Sequence, residues 1–130
     1  MNDLHEGDSV IKKKLMIVDD EKLICWTLSK TFTQEGYDVI CFNSGEQALE
    51  GMREDPAHAM ILDLRLPGMN GLDVLEAIRE SHPETKILMI SAYGSEDARK
   101  RAKELGVLEF FDKPLNLAEL KETIAKAFEI

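Results

Sequence analysis

Four short apolar runs in this chain end directly on groups that can do chemistry. Leu15-Met16-Ile17-Val18 leads into Asp19-Asp20-Glu21, and Ala59-Met60-Ile61-Leu62 into Asp63. Ile87-Leu88-Met89-Ile90 leads into Ser91, and the run closed by Phe110-Phe111 into Asp112-Lys113-Pro114. One acid behind an apolar run can equally well cap the next turn. Four such ends, if they converge, gather carboxylates, a hydroxyl and an ammonium in one place. Two carboxylates about 5 Å apart repel by about 3 kcal/mol at an effective dielectric near 20. Lys113 offers one compensating charge, and a hard divalent cation offsets the rest. Oxygen ligands with room for water suit Mg2+, or Mn2+ in its place. A metal beside one carboxylate, with a lysine and a hydroxyl opposite, suits phosphoryl transfer, which depends on positioning and charge neutralisation. Asp63 is then the nucleophile that forms an acyl phosphate. Asp20 and Asp63 hold the metal with Asp19 in support, and Lys113 and Ser91 each contact a phosphoryl oxygen. Neither GxxxxGK(S/T) nor GxGxxG occurs, so a nucleotide phosphate cradle is not indicated.

The elements that must position these groups follow from the periodicity. The apolar runs do not alternate with polar residues, which marks strands buried on both faces. Between them the spacing becomes helical. Ile24, Leu28 and Phe32 recur by four from Glu21 to Glu35, and Gly36 stands where such a helix stops. Tyr37 to Phe42 reads as a strand ending on Asn43, outside the polar set. Ser44, with Gln47 three residues on, opens a helix that runs to about Arg53. His58 to Leu62 is the central strand. Pro67-Gly68 and Asn70-Gly71 mark a turn, and Leu72, Leu75 and Ile78 mark the next helix. Lys86 to Ile90 is a strand. Ser95 caps a helix carrying Ala98, Ala102 and Leu105 on one face, and Gly106 ends it. Val107 to Phe111 is the last strand, with Phe110 and Phe111 on opposite faces, one in the core and one nearer the surface. Leu117, Leu120, Ile124 and Phe128 mark a helix to the chain end. Five alternations of strand and helix imply a parallel sheet covered by helices on both faces, with all strand ends on one edge. Residues 1–12 read as a flexible tail and residues 13–130 as one domain.

Composition narrows the function classes. The 130 residues are 44% hydrophobic and 32% charged, with a net charge of −9. That balance argues against direct nucleic-acid binding and favours a cation or a basic partner. No apolar run reaches membrane-spanning length, and Met1 to Ser9 is no signal peptide, so the expected place is the cytoplasm without membrane attachment. Cys25 and Cys41 form no CxxC and are expected as free buried thiols, with a disulfide or a metal pair disfavoured. Trp26 is expected to be a partly buried packing residue, with a binding hot spot as the lesser alternative. His5, His58 and His82 are not needed for the chemistry. Glu21 stands either as outer support for a metal or as an acid at a helix N-terminus.

Taken together, Val18-Asp19-Asp20-Glu21, Leu62 to Gly71, Ile90-Ser91-Ala92 and Asp112-Lys113-Pro114 resemble the signature of response-regulator receiver domains of two-component signalling. The resemblance covers nearly the whole chain beyond the tail. Its Asp-Leu-Arg-Leu-Pro-Gly-Met wording is most similar to receivers of AAA-type transcriptional activators. It implies a five-stranded, doubly wound, flavodoxin-like sheet of order 2-1-3-4-5. It further implies Mg2+-dependent transfer of a phosphoryl group to Asp63 from a histidine kinase or phosphotransfer protein, followed by slow hydrolysis. By the same resemblance, the backbone carbonyl of Arg65 is a third protein ligand to the metal. The Lys113–Pro114 bond is expected cis, and Phe110 is the switch aromatic that follows Ser91.

Such a protein assists its own phosphorylation and dephosphorylation without being a turnover enzyme. The unit from Ser95 to Ile130 is where the signal is expected to leave, to control an output such as transcription, and it is a plausible homodimer face. Arg65 and Tyr93, each two residues past a site residue, are expected either to tune the lifetime of the phosphoryl group or to be solvated loop side chains. A metal-dependent phosphatase of similar fold is the main alternative. The haloacid-dehalogenase type needs an acid where Arg65 stands. A pseudo-receiver that only binds partners would not need the complete acid set, Ser91 and Lys113.

Overall fold

The computed structural model describes residues 12–129, so the expected tail lies outside the described residues apart from Lys12. Five strands and five helices alternate: β1 (Lys14–Val18), α1 (Lys22–Gln34), β2 (Asp38–Phe42), α2 (Gly45–Glu54), β3 (Ala59–Asp63), α3 (Gly71–Ser81), β4 (Lys86–Ser91), α4 (Glu96–Glu104), β5 (Glu109–Asp112) and α5 (Leu117–Ala127). The strands form one sheet of order β2-β1-β3-β4-β5, and every pairing is parallel. This is the architecture expected from the sequence.

Alternation of side chains along the buried strands splits the interior into two layers. Met16, Val18, Met60, Leu62, Ile87 and Met89 pack with Ala48 and Met52 of α2, Val74, Leu75 and Ile78 of α3, and Ala102 of α4. Leu15, Ile17, Ala59, Ile61, Leu88 and Ile90 pack with Leu28 and Phe32 of α1 and Leu120 and Ile124 of α5. Helices therefore cover both faces, which explains why the central runs are apolar at every position. Each fully buried Leu or Ile contributes about 1.5–3 kcal/mol relative to exposure.

Local signals set the helix ends. Ser44, Asn70, Ser95 and Asn116 each accept a backbone N–H at the start of a helix, a contact worth about 1 kcal/mol apiece. Gln47 reaches back to the N–H of Asn43 at 3.2 Å, one residue earlier than a capping box requires. α1 stops at Gly36, whose φ of +95° suits a residue without a Cβ.

Three expectations need correction. Cys25 and Cys41 are joined by a disulfide rather than free. Cys41 pairs with Ile17 in the sheet register, and so faces the layer that α1 covers, where Cys25 meets it. Trp26 is 62% exposed, not a packing residue. It lies two residues from both Ile24 and Leu28, which puts it on the far side of α1 from their stripe. Phe110 and Phe111 do face opposite layers, but both are half-buried because β5 is an edge strand.

Candidate phosphoryl-acceptor and cation site

The strand order places the site. The chain runs from β1 outward to β2, then returns across β1 to β3, so the direction of winding reverses between β1 and β3. The crevice at that reversal, outside the carboxyl ends of the strands, is where open α/β sheets bind ligands. Asp19 and Asp20 leave β1 there, and Asp63 is the last residue of β3. One carboxylate oxygen from each of Asp19, Asp20 and Asp63 lies within 4.8 Å of the others. Distant parts of the sequence thus converge as the spacing predicts.

Each side chain is fixed by its neighbours. Asp19 is fully buried. Its N–H donates to the Phe42 carbonyl at 3.1 Å, and its Oδ1 accepts the Glu21 N–H at 2.9 Å. Asp63 is 3% exposed, and its Oδ1 accepts the Arg65 N–H at 3.2 Å. The chain turns sharply after Asp63, and the Gly71 N–H donates to the Leu64 carbonyl at 2.8 Å. A Cβ on Gly71 would fall 2.4 Å from the Asp63 carbonyl oxygen, so this return path demands glycine. Ser91 is buried at the end of β4, and its Oγ accepts the Tyr93 N–H at 3.1 Å. The Lys113 N–H donates to the Ser91 carbonyl at 2.9 Å, which ties the two functional loops together. The Lys113–Pro114 bond is cis, as expected.

Lys113 draws the acids together. Its Nζ lies 2.9 Å from Asp19 Oδ2, 2.7 Å from Glu21 Oε1 and 3.2 Å from Asp63 Oδ2. With Asp20, four carboxylates face one ammonium. Burial and the nearby charge of Asp19 push the Asp63 carboxyl up to about 6, while the Arg65 N–H and Lys113 pull it down. Burial works against the Lys113 charge, but the hydrogen bond to Glu21, the close ion pair with Asp19 and the charge of Asp63 outweigh it, holding the ammonium above its ordinary range. Asp19 Oδ2 is buried without a directed hydrogen-bond donor, since Lys113 sits close but off the line of a bond. A buried carboxylate oxygen with a free lone pair, in an all-oxygen cluster of surplus negative charge, fits a hard divalent cation.

Around this centre stand the other expected residues. The Arg65 guanidinium lies 5.7 Å from the ring centre of Tyr93. Arg65 is exposed and Tyr93 is 73% exposed. Phe110 is half-buried, with the Arg99 guanidinium 4.5 Å above its ring, and Arg99 also pairs with Asp112. Glu21, left open by the sequence, here bonds Lys113. The Cys25–Cys41 bridge was missed. The signal was present, because Val39 and Cys41 share a strand face and Cys25 adjoins the Ile24–Leu28–Phe32 stripe.

Comparison with known proteins gives a consistent picture. Residues 15–125 match the family model described as response regulator receiver domain. The chain is 31% identical over 117 residues to sporulation initiation phosphotransferase F of Bacillus subtilis, covering 90% of this chain and 94% of that protein. It is 37% identical over 107 residues to the transcriptional regulatory protein CpxR of Escherichia coli, covering 82% of this chain but only 45% of that protein. Among solved structures, a chain of a CheX-CheY-BeF3-Mg2+ complex from Borrelia burgdorferi superposes with a TM-score of 0.86 at 29% identity, covering 95% of each chain.

Proposed function

Because this chain belongs to the response regulator receiver domain family, we propose that it is a phosphorylation switch whose acceptor is Asp63. The observation that carries the assignment is the convergence of Asp19, Asp20 and Asp63 beside Lys113 at the point where the sheet's winding reverses.

The donor is the phosphohistidine of a histidine kinase or of a phosphotransfer protein. An Asp63 carboxylate oxygen attacks phosphorus, the N–P bond breaks, and the imidazole leaves with the bond's electron pair. Asp19, Asp20 and Asp63, with the Arg65 carbonyl, would hold Mg2+ or Mn2+, which when bound supplies positive charge to the phosphoryl oxygens. Lys113 releases part of its hold on the acids and pairs with a phosphoryl oxygen. The Asp63 carboxyl, with a pKa of about 6, is ionised at neutral pH and needs no base. Slow hydrolysis by water resets the switch, so the protein assists both reactions without being a turnover enzyme. Arg65 stands where a dehalogenase-type phosphatase would need a second acid.

Phosphorylation adds roughly one negative charge and new acceptor oxygens beside Ser91. The Ser91 hydroxyl moves toward them, the loop from Ala92 to Ser95 follows, and Phe110 turns inward. The α4-β5-α5 face is thereby reshaped, and a bias of a few kcal/mol suffices to exchange partners or favour a homodimer there. CpxR is named as a transcriptional regulator, which supports transcription as the output when such a domain is attached to an effector. The acidic balance of the chain supports action without direct nucleic-acid contact. No helix among the described residues is long and apolar enough to cross a membrane, in keeping with a cytoplasmic switch. The switch is assigned to residues 13–130.

Incubation with acetyl phosphate and Mg2+, followed by intact mass, tests the proposal. A single stable adduct supports it. Steady release of phosphate would instead mark a phosphatase, and an unmodified chain would mark a partner-binding domain only. Ser91→Ala should leave the adduct in place and remove the change on the α4-β5-α5 face. An unaltered hydrogen-exchange response there would count against the coupling.

A further inference from the structure

We propose that Cys25 and Cys41 form a reversible thiol–disulfide switch that sets how tightly the acidic pocket holds its divalent cation. The inference rests on the reading of Asp19, Asp20 and Asp63 as a cation site and adds a second input to it.

The placement of the two sulfurs carries the argument. Cys25 lies in the first turn of α1, and its Sγ sits 3.3 Å from the carbonyl oxygen of Asp19. Cys41 is followed in β2 by Phe42, whose carbonyl accepts the Asp19 N–H at 3.1 Å. The bridge between Cys25 and Cys41 therefore joins the two elements that grip Asp19 from either side. Asp19 and Asp20 sit in the short link between β1 and α1. Their carboxylates can shift when the first turn of α1 shifts against β2, and the bridge prevents that movement. Both cysteines are half-buried, near the rim of the sheet, and not sealed in the core. A disulfide in a protein of the reducing cytoplasm is commonly transient and redox-sensing.

The chemistry balances with a dithiol reductant as co-reactant. A thiolate of the dithiol attacks one sulfur of the bridge, the S–S bond breaks, and a mixed disulfide forms. The second thiol of the reductant displaces it, leaving Cys25 and Cys41 as thiols and the reductant as a disulfide. Two electrons and two protons pass to the protein. The freed Cys25 thiol then has a proton to offer the Asp19 carbonyl, a weaker and more yielding hold than the covalent tether. Ligands held in place bind more tightly than ligands that must be ordered on binding. The oxidised form should thus hold the cation more tightly than the reduced form.

The test uses the full chain and Mg2+ alone. Oxidised and reduced samples are verified by alkylation and intact mass, then titrated with Mg2+ by calorimetry. The half-saturating Mg2+ concentration should rise on the order of fivefold on reduction, the low end of ordinary coupling between two sites. By reciprocity, saturating Mg2+ should lower by the same factor the equilibrium constant for reduction of the bridge by a dithiol. Cys41→Ser should bind Mg2+ like the reduced chain whether or not reductant is present. Equal Mg2+ affinity in both forms would overturn the switch and leave the pocket reading intact. Full alkylation of both cysteines after treatment with glutathione disulfide would overturn it as well. Absence of Mg2+ binding in either form would overturn the pocket reading, and the switch with it.

Discussion

The two edges of the sheet are built on opposite principles. At the carboxyl edge, three carboxylates share Lys113 with Asp20 beside them, and Asp19 Oδ2 lacks a directed donor. At the amino edge, polar groups are matched. Arg79, near the end of α3, donates from Nε to the Leu105 carbonyl at 2.7 Å and from Nη1 to Thr85 at 2.7 Å and Pro83 at 3.3 Å. Its Nη2 reaches the Gly106 carbonyl at 3.1 Å. Nearby, Lys14 pairs with Asp55 at 2.8 Å, and the His58 Nδ1 accepts the Lys14 N–H at 2.9 Å. One edge satisfies its loop carbonyls and holds the fold. The other leaves charge unmatched and keeps a place for something to bind. The same sheet carries both because strand ends on opposite edges are separated by the full length of the strands.

Substitutions at the two edges should therefore have effects of different kinds. The largest is at the carboxyl edge and concerns chemistry. Asp63→Asn replaces the proposed nucleophilic carboxylate with an amide, and intact mass after acetyl phosphate and Mg2+ should show no adduct where the parent chain shows one. An adduct of equal yield in the variant would move the acceptor elsewhere and dissolve the functional contrast between the edges.

Next comes the amino edge. Arg79→Ala strips donors from four carbonyls of two loops, and hydrogen bonds from a charged group are worth about 1.5–3 kcal/mol each at best. Because water can replace part of what is lost, the urea midpoint should report a net destabilisation of about 2–4 kcal/mol. The Mg2+ affinity should stay within about twofold of the parent's, since sites so far apart are usually independent. A matching loss of Mg2+ affinity would show that the two edges are not separate.

A smaller effect sets stability against function at one residue. In the metal-free chain the Asp63 carboxyl is raised from its ordinary 3.8 to about 6. Between those values the folded state keeps a proton that the unfolded state has lost, so the folded state binds more protons. Stability is therefore full below about 3.8 and falls as pH rises toward about 6. The fall should be on the order of 2 kcal/mol. Asp63→Asn should flatten this slope and make the metal-free chain more stable at neutral pH by a similar amount. An unchanged slope in urea melts from pH 4 to pH 7 would show that the crowding of acids carries no strain.

How much could be read in the chain itself follows the same division. The strands buried on both faces, the caps at Ser44 and Ser95 and the stop at Gly36 are local patterns, and they appear where expected. The convergence of Asp19, Asp20, Asp63, Ser91 and Lys113 follows from placing all strand ends on one edge. Features fixed by contacts between elements were harder to see. The Arg79 clamp depends on two loops meeting at the end of α3, and nothing in the spacing around Arg79 signals it. The exposure of Trp26 was legible from its angle off the Ile24–Leu28 stripe, yet aromatic residues are so often interior that composition outweighed geometry. The disulfide was set aside because separation in sequence and an expected reducing compartment argued against it, although the pairing of β2 with β1 brings α1 within reach of Cys41.

The smallest expected effect lies at the mouth of the site, between Arg65 and Tyr93. Tyr93 leaves its ring largely exposed while its N–H is held by Ser91. Arg65 is anchored likewise, its N–H on Asp63 and its guanidinium beside the Tyr93 ring. Two backbones fixed to site residues thus hold a cation–aromatic pair next to the site, and we propose that it flanks the approach to Asp63. At an exposed position such a pair contributes about 0.5–1 kcal/mol. Water that hydrolyses the acyl phosphate must enter in line, opposite the Asp63 oxygen, and bulk over the mouth lowers the fraction of time in which that line is open. Replacing both residues by alanine should therefore speed decay of the adduct by about two- to fivefold, the rate equivalent of that energy. The fold's stability should fall by no more than about 1 kcal/mol, the worth of the pair, because neither side chain packs in the core. Decay followed by intact mass at the same rate in parent and double variant would reduce the pair to solvated loop side chains. A slower decay would mean that Arg65 or Tyr93 orders the attacking water instead of obstructing it.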